Sequence, residues 1–269
     1  MMNNLKLKII FGLLFCQFIA LSQNPWATLN LIKSIEIPAQ FISTDKLGNL
    51  YITANQEISK YDANGKLLQK NSIKSFGNIY SIDASNPMKI LTFFKDYNKI
   101  IFLDNMLAVS ENAIDLSTIN LDQVTLASSS HDNGIWVYNS LNFEILRMDP
   151  NLKITHQSGN IAQLTGNAIK PLMLFEANNR VYLCDTIQGA LVFDVFGTYV
   201  KTIPIKSIKD LQVENNMLYF IDNKGFGNFN IDKIQMEEIE LPDANVQQIR
   251  LQKNRVYVKL KNSVKIYGY

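Results

Sequence analysis

The sequence predicts an all-β fold, a six-bladed β-propeller whose last blade is closed by an N-terminal strand at 28–37. Two observations predict it. An apolar run ends in aspartate at Tyr61-Asp62, Leu103-Asp104, Met148-Asp149, Phe193-Asp194 and Ile231-Asp232, at steps of 42, 45, 45 and 38 residues. A period of about 40 marks a repeat architecture, in which each unit buries its apolar faces against its neighbours. Each period also divides into four short strands separated by turn residues, which is the content of one propeller blade.

The first strand of each unit is short and apolar: Phe41-Ile42-Ser43, Ile79-Tyr80-Ser81-Ile82, Val124-Thr125-Leu126, Leu172-Met173-Leu174-Phe175, Ile208-Lys209-Asp210-Leu211 and Val246-Gln247-Gln248-Ile249. Turns such as Asp45-Lys46-Leu47-Gly48-Asn49 and His131-Asp132-Asn133-Gly134 follow. Asn, Asp and Gly accept positive φ at little cost, so these stretches read as hairpin turns. The second strand carries a large residue at its second place: Tyr51, Leu91, Trp136, Tyr182, Tyr219 or Tyr257. The third strand is the one that ends in aspartate, and a tight turn follows it. A fourth strand then leaves at 66–68, 107–109, 152–154, 199–201 and 236–239. The 112–123 stretch is an ambiguous connector, and no long segment shows the 3.6-residue apolar period of a helix.

Six strand sets can be counted, and the sixth, ending at Tyr269, lacks a fourth strand of its own. The segment 28–37 supplies a spare one. Its expected place is the outer edge of the last blade, where it would pair an otherwise open sheet edge. An ordinary leading strand of an open sandwich is the alternative.

The first 22 residues read as an export signal. Lys6 and Lys8 precede the apolar run 9–21, and Ala20-Leu21-Ser22 supplies small residues for cleavage. That run is too short to span a membrane as a helix. Cys16 follows Leu13-Leu14-Phe15, which is not a lipidation signal. The expected organisation is therefore a signal peptide at 1–22 and one propeller domain at 23–269, with no membrane span once the signal is removed. Without the signal, 24 basic and 24 acidic residues remain, a balance that argues against nucleic acid as a partner. Cys184 is then the lone cysteine, and it is expected in the core.

Catalytic, metal and cofactor chemistry finds no assembled motif. The two histidines, His131 and His156, stand 25 residues apart with no metal-like spacing around them. Ser128-Ser129-Ser130-His131-Asp132 places Ser, His and Asp side by side, but neighbouring residues point in different directions and do not make a triad. The recurring aspartates 62, 104, 149, 194 and 232 are expected to start turns by bonding nearby amides. Asn223-Lys224-Gly225-Phe226-Gly227-Asn228 reads as a turn or bulge rather than a phosphate loop. The aromatics Tyr51, Trp136, Tyr182, Tyr219 and Tyr257 share a repeat position and are expected to pack between blades. Trp26, Phe196 and Phe226 lie off the repeat grid, so they are the candidates for an exposed partner-contact patch.

The stretches Gly48-Asn49-Leu50-Tyr51-Ile52 and Ile58-Ser59-Lys60-Tyr61-Asp62-Ala63-Asn64-Gly65-Lys66-Leu67-Leu68 resemble the blades of six-bladed propellers of the broad NHL/TolB-like class. A similar pair recurs at 179–185 and 190–200, and the resemblance covers 28–269. Blade two (Lys89 to Leu103) and blade five depart from the pattern. The class includes enzymes, ligand binders and scaffolds. The degenerate blades resemble an interaction propeller more than a hydrolytic or quinoprotein one. The signal and the Asn-, Lys- and Ile-rich strands resemble envelope proteins of bacteria with type 9 secretion. The resemblance thus implies an exported, periplasmic or outer-membrane-associated scaffold that binds another envelope protein, an accessory part of an outer-membrane secretion assembly. A lactonase- or glycan-active propeller and a carbohydrate-binding propeller remain open alternatives.

Overall fold

A computed structural model describes residue 26 and residues 29–269. The expected signal at 1–22 and Thr28 of the closing strand lie outside the described residues. Among the described residues, the first strand is β1 (Asn30–Glu36). Blade one then holds β2 (Phe41–Thr44), β3 (Leu50–Ala54), β4 (Glu57–Tyr61) and β5 (Leu67–Ser72). Blade two holds β6 (Ser81–Asp83), β7 (Ile90–Phe94), β8 (Lys99–Leu103) and β9 (Ile114–Asp115). Blade three holds β10 (Val124–Ser129), β11 (Ile135–Asn139), β12 (Glu144–Met148) and β13 (Ile154–Gln157). After a short helix, α1 (Ile161–Thr165), blade four holds β14 (Pro171–Ala177), β15 (Arg180–Asp185), β16 (Gly189–Asp194) and β17 (Tyr199–Ile203). Blade five holds β18 (Asp210–Glu214), β19 (Met217–Ile221), β20 (Phe226–Asn230) and β21 (Gln235–Ile239). Blade six holds β22 (Gln248–Gln252), β23 (Arg255–Lys259) and β24 (Ser263–Gly268).

Blade six is completed by β1, which pairs antiparallel with β24 from Asn30 opposite Gly268 to Glu36 opposite Ser263. The expected closure is met. The first strands of the six blades, β2, β6, β10, β14, β18 and β22, touch one another in turn, and β22 returns to β2. They line the axis of a closed ring.

Each blade is sandwiched between two others, so its middle strands are covered on both faces. This is why β7 and β11 are buried along their whole length and are mostly apolar, Thr92 and Asn139 apart. Six apolar clusters form, one at each seam. Phe93 and Phe102 meet Val137 and Leu146 between blades two and three, and Ile52 meets Tyr257 and Ile266 where blade six meets blade one. The repeated aromatics Tyr51, Trp136, Tyr182 and Tyr257 are buried as expected, and Tyr219 is half-buried. Two of their polar tips bond across the seams: Trp136 Nε1 donates to Glu176 Oε2 at 2.7 Å and Tyr257 OH to the Gly48 carbonyl at 2.8 Å, while Tyr51 OH donates to Asp45 Oδ2 within its own blade. Cys184 is a buried free thiol, and burial pushes its pKa well up.

The turn aspartates act as expected in four of five cases. Asp62 Oδ1 accepts from the amides of Asn64 and Lys66, both at 2.9 Å. Asp104, Asp149 and Asp194 repeat that pattern on the amides two and four residues on. The residue three places on takes positive φ: Gly65, Leu107, Leu152 and Gly197. Asp232 is the exception and corrects the expectation. There β20 ends at Asn230, whose Oδ1 accepts from the amides of Asp232 and Lys233, while Asp232 Oδ2 accepts from Asn216 Nδ2 at 2.7 Å. Asparagine starts this turn because it offers the same acceptor oxygen.

Blade two also differs. Its fourth strand was expected at 107–109. Instead Val109 makes a single bridge to Leu103, and the strand is the two-residue β9 within the ambiguous connector. Leu107 is fully buried in the seam between blades one and two, so the chain is anchored inward here rather than running on as an edge strand.

Candidate functional site

The turns joining first to second and third to fourth strands lie on one face of the ring, called the upper face below. The first strands are edge strands, and their outward amides would stand unpaired along the axis. Side chains of the neighbouring blade satisfy them. Gln248 Oε1 accepts from the Ile42 amide at 3.0 Å, Asp83 Oδ2 from Ser129 at 2.8 Å, and Asp210 Oδ2 from Ile249 at 2.9 Å. Asp210 also accepts from Arg250 Nη1 at 2.7 Å, a buried ion pair that joins blades five and six.

Within these strands runs a channel of about 1070 Å³, lined by polar groups that include Ser128, Ser129, Glu176, Lys209 and Arg250. At its upper mouth one carboxylate gathers several donors. Glu176, on β14, accepts from Ser130 Oγ at 2.8 Å, from Trp136 Nε1 at 2.7 Å and from the His131 amide at 3.3 Å. Its Oε1 also lies 2.6 Å from His131 Nδ1. Arg147 donates to Ser130 Oγ and pairs with Asp132, so the Ser-His-Asp stretch is organised around a glutamate from another blade, not as a triad.

A second cavity, about 310 Å³, opens on the upper face between blades five and six. Trp26, Tyr219 and Tyr269 form its aromatic walls, and Glu214, at the end of β18, reaches both this cavity and the channel. Ring centroids lie 5.8 Å apart for Trp26 and Tyr219, and 6.2 Å apart for Trp26 and Tyr269. Burial raises the Glu214 carboxyl above its ordinary range; burial also raises the Tyr219 and Tyr269 phenols, and the Glu214 charge adds to both.

Of the three off-grid aromatics, Trp26 and Phe226 pack together and Phe196 stands apart. Phe196 is 62% exposed on the turn between β16 and β17, its ring 5.4 Å from His156. Trp26 is half-buried in the aromatic cavity. Phe226 corrects the expectation: it is only 5% exposed, because it starts β20 and packs edge-on behind Trp26 at 5.1 Å. Sequence reasoning missed Glu176 and Glu214. Neither stands in a motif, and only their position beside an Asn-rich turn distinguishes them. Among the described residues, no group of three or more His, Cys, Asp or Glu side chains is placed to hold a metal ion, and no helix is long and apolar enough to cross a membrane.

The fold and this axial site define a six-bladed β-propeller. No protein-family model matches the chain, and no curated protein matches it by sequence. Solved structures share its fold. Virginiamycin B lyase from Staphylococcus aureus matches with TM-score 0.63 at 11% identity, covering 90% of this chain and 100% of that one. BamB from Moraxella catarrhalis matches with TM-score 0.57 at 10% identity, covering 90% and 100%. The Pan2 WD40 domain of Neurospora crassa matches with TM-score 0.64 at 10% identity, covering 89% and 95%. These likenesses show the fold alone, and their variety fits a scaffold that carries many functions.

Proposed function

We propose that this chain is a non-catalytic interaction propeller of the bacterial cell envelope, an accessory part of an outer-membrane assembly that binds another envelope protein across its upper face. One observation carries this reading. The upper-face turns hold Leu47, Met88 and Ile234 in solvent, and these are the three most exposed large apolar side chains among the described residues, Ile234 reaching 78%. Met106 and Phe196 extend the set around the ring. The lower-face turns also expose Tyr97, Leu141 and Ile187, each less than those three; exposed apolar groups on a face are a usual feature of partner-binding surfaces. The likeness to BamB and to the extracellular domain of BT4673 from B. thetaiotaomicron supports the envelope setting.

The test is affinity capture from native membranes with three forms of the protein. Wild type and the lower-face variant Leu141→Asp retain a partner, while Leu47→Asp/Met88→Asp/Ile234→Asp loses it. A lone monomer under gentle conditions, or a partner kept by the triple variant, overturns the reading.

A second reading makes the channel mouth an active site, and the Glu176–His131 pair favours it. A carboxylate on Nδ1 orients an imidazole and leaves Nε2 for proton transfer. Turnover of a lactone or glycan that falls on His131→Gln would support this reading; activity indifferent to that change would remove it.

A further inference from the structure

We propose that the aromatic cavity between blades five and six binds a cationic side chain, lysine or arginine, presented by the partner protein. The inference rests on the interaction reading above and names the chemistry of one contact. Glu214 is half-buried at the cavity wall, yet its side chain makes no hydrogen bond or ion pair among the described residues. Its oxygens keep contact with water in the open cavity, but half-burial strips part of their hydration, which a bound cation would replace. The cation nearest in the wall does not serve it. Lys253 lines the same cavity, but its Nζ donates to the Leu47 carbonyl at 2.9 Å, which ties it to blade one. Tyr269 OH is also engaged, donating to the Lys253 carbonyl at 2.8 Å, so that ring is held as a wall.

What remains is an anionic end and three aromatic side chains around about 310 Å³. Aromatic faces attract a cation through their quadrupole, most strongly where water is excluded. A carboxylate adds a charge-assisted hydrogen bond. An apolar side chain would gain the walls but leave Glu214 unpaired, and an anion would be repelled by it. The cavity opens on the upper face beside the channel mouth, where Leu47, Met88 and Ile234 would already hold a partner.

The test titrates the purified full chain, following tryptophan fluorescence, with three capped tripeptides of the form Gly-X-Gly in which X is lysine, arginine or norleucine. The lysine and arginine peptides bind and norleucine does not. Affinity for the cationic peptides falls about tenfold or more in Glu214→Gln and in Tyr269→Leu, with unchanged melting curves. Equal binding of norleucine, no binding of either cationic peptide, or affinity unchanged in Glu214→Gln overturns the proposal. Tighter binding of free cadaverine than of both peptides overturns the assignment to a protein side chain. The two readings fail separately. Peptide binding without a captured partner would sink the interaction reading alone. A captured partner with no peptide binding would sink only the cavity assignment.

Discussion

Glu176 Oε1 lies 2.6 Å from His131 Nδ1 across the seam between blades three and four. The same carboxylate holds Ser130 Oγ and the indole of Trp136, a fully buried side chain. Glu176→Ala would leave the Trp136 N–H in the interior without an acceptor, at a cost of about 3 kcal/mol. His131→Ala removes one exposed arm of the network and costs about 1 kcal/mol. Urea unfolding of the two variants measures the difference, and a histidine effect equal to the glutamate effect would contradict this account.

The turn aspartates separate in the same assay. Asp149→Ala strips an acceptor from two amides and costs about 1 kcal/mol. In blade five the sensitive position is Asn230, not Asp232. Asn230→Ala is expected to destabilise by a similar amount, and Asp232→Ala by less than about 0.5 kcal/mol.

Two glycines at positive φ respond differently to alanine. At Gly189, φ 109°, a Cβ would press into the Ile203 carbonyl and the Ile205 amide, both backbone atoms. Gly189→Ala costs about 3 kcal/mol or more. At Gly166, φ 67°, nothing lies within 4 Å of such a Cβ, and only the backbone strain of about 1 kcal/mol remains. Melting temperatures of the two variants decide it.

Removing residues up to Glu36 strips β1 from β24 and opens a sheet edge. An unpaired edge templates association. The truncated chain is expected to melt earlier and to elute as oligomers in size-exclusion chromatography. A stable monomer with the wild-type melting point would show that closure is dispensable.

Alkaline stability follows from the buried phenols. Burial, aided by the Asp185 charge, pushes Tyr138 up to about 12. Burial also pushes Tyr257 up to about 12; Arg255 opposes this, and Asp45 and Asp62 assist. In the unfolded chain both ionise near pH ~10. Between those values the folded chain holds protons that the unfolded chain has lost, so stability falls as pH rises past about 10 and is unaffected well below it. Tyr138→Phe removes one such group without removing a hydrogen bond among the described residues. Its stability is expected to fall less steeply above pH ~10 in denaturant titrations; an unchanged slope counts against the assignment.

The repeat spacing, the fourth strand of most units, four of the five turn aspartates and the closure by an N-terminal strand were legible in the sequence. Strand alternation and turn capping act over two to four residues, so their chemistry is written in consecutive letters. By itself the sequence therefore determined the blade, its number and its aromatic seams. Only the tertiary structure decided what meets across them. Glu176 and His131 stand 45 residues apart, Asp210 and Ile249 39, and Gln248 and Ile42 206. Nothing local marks these pairs, because they come together only when the ring closes. The same holds for Phe226, turned inward behind Trp26, and for Glu214, left without a cation in an aromatic cavity that two adjacent blades and the N-terminal segment build together.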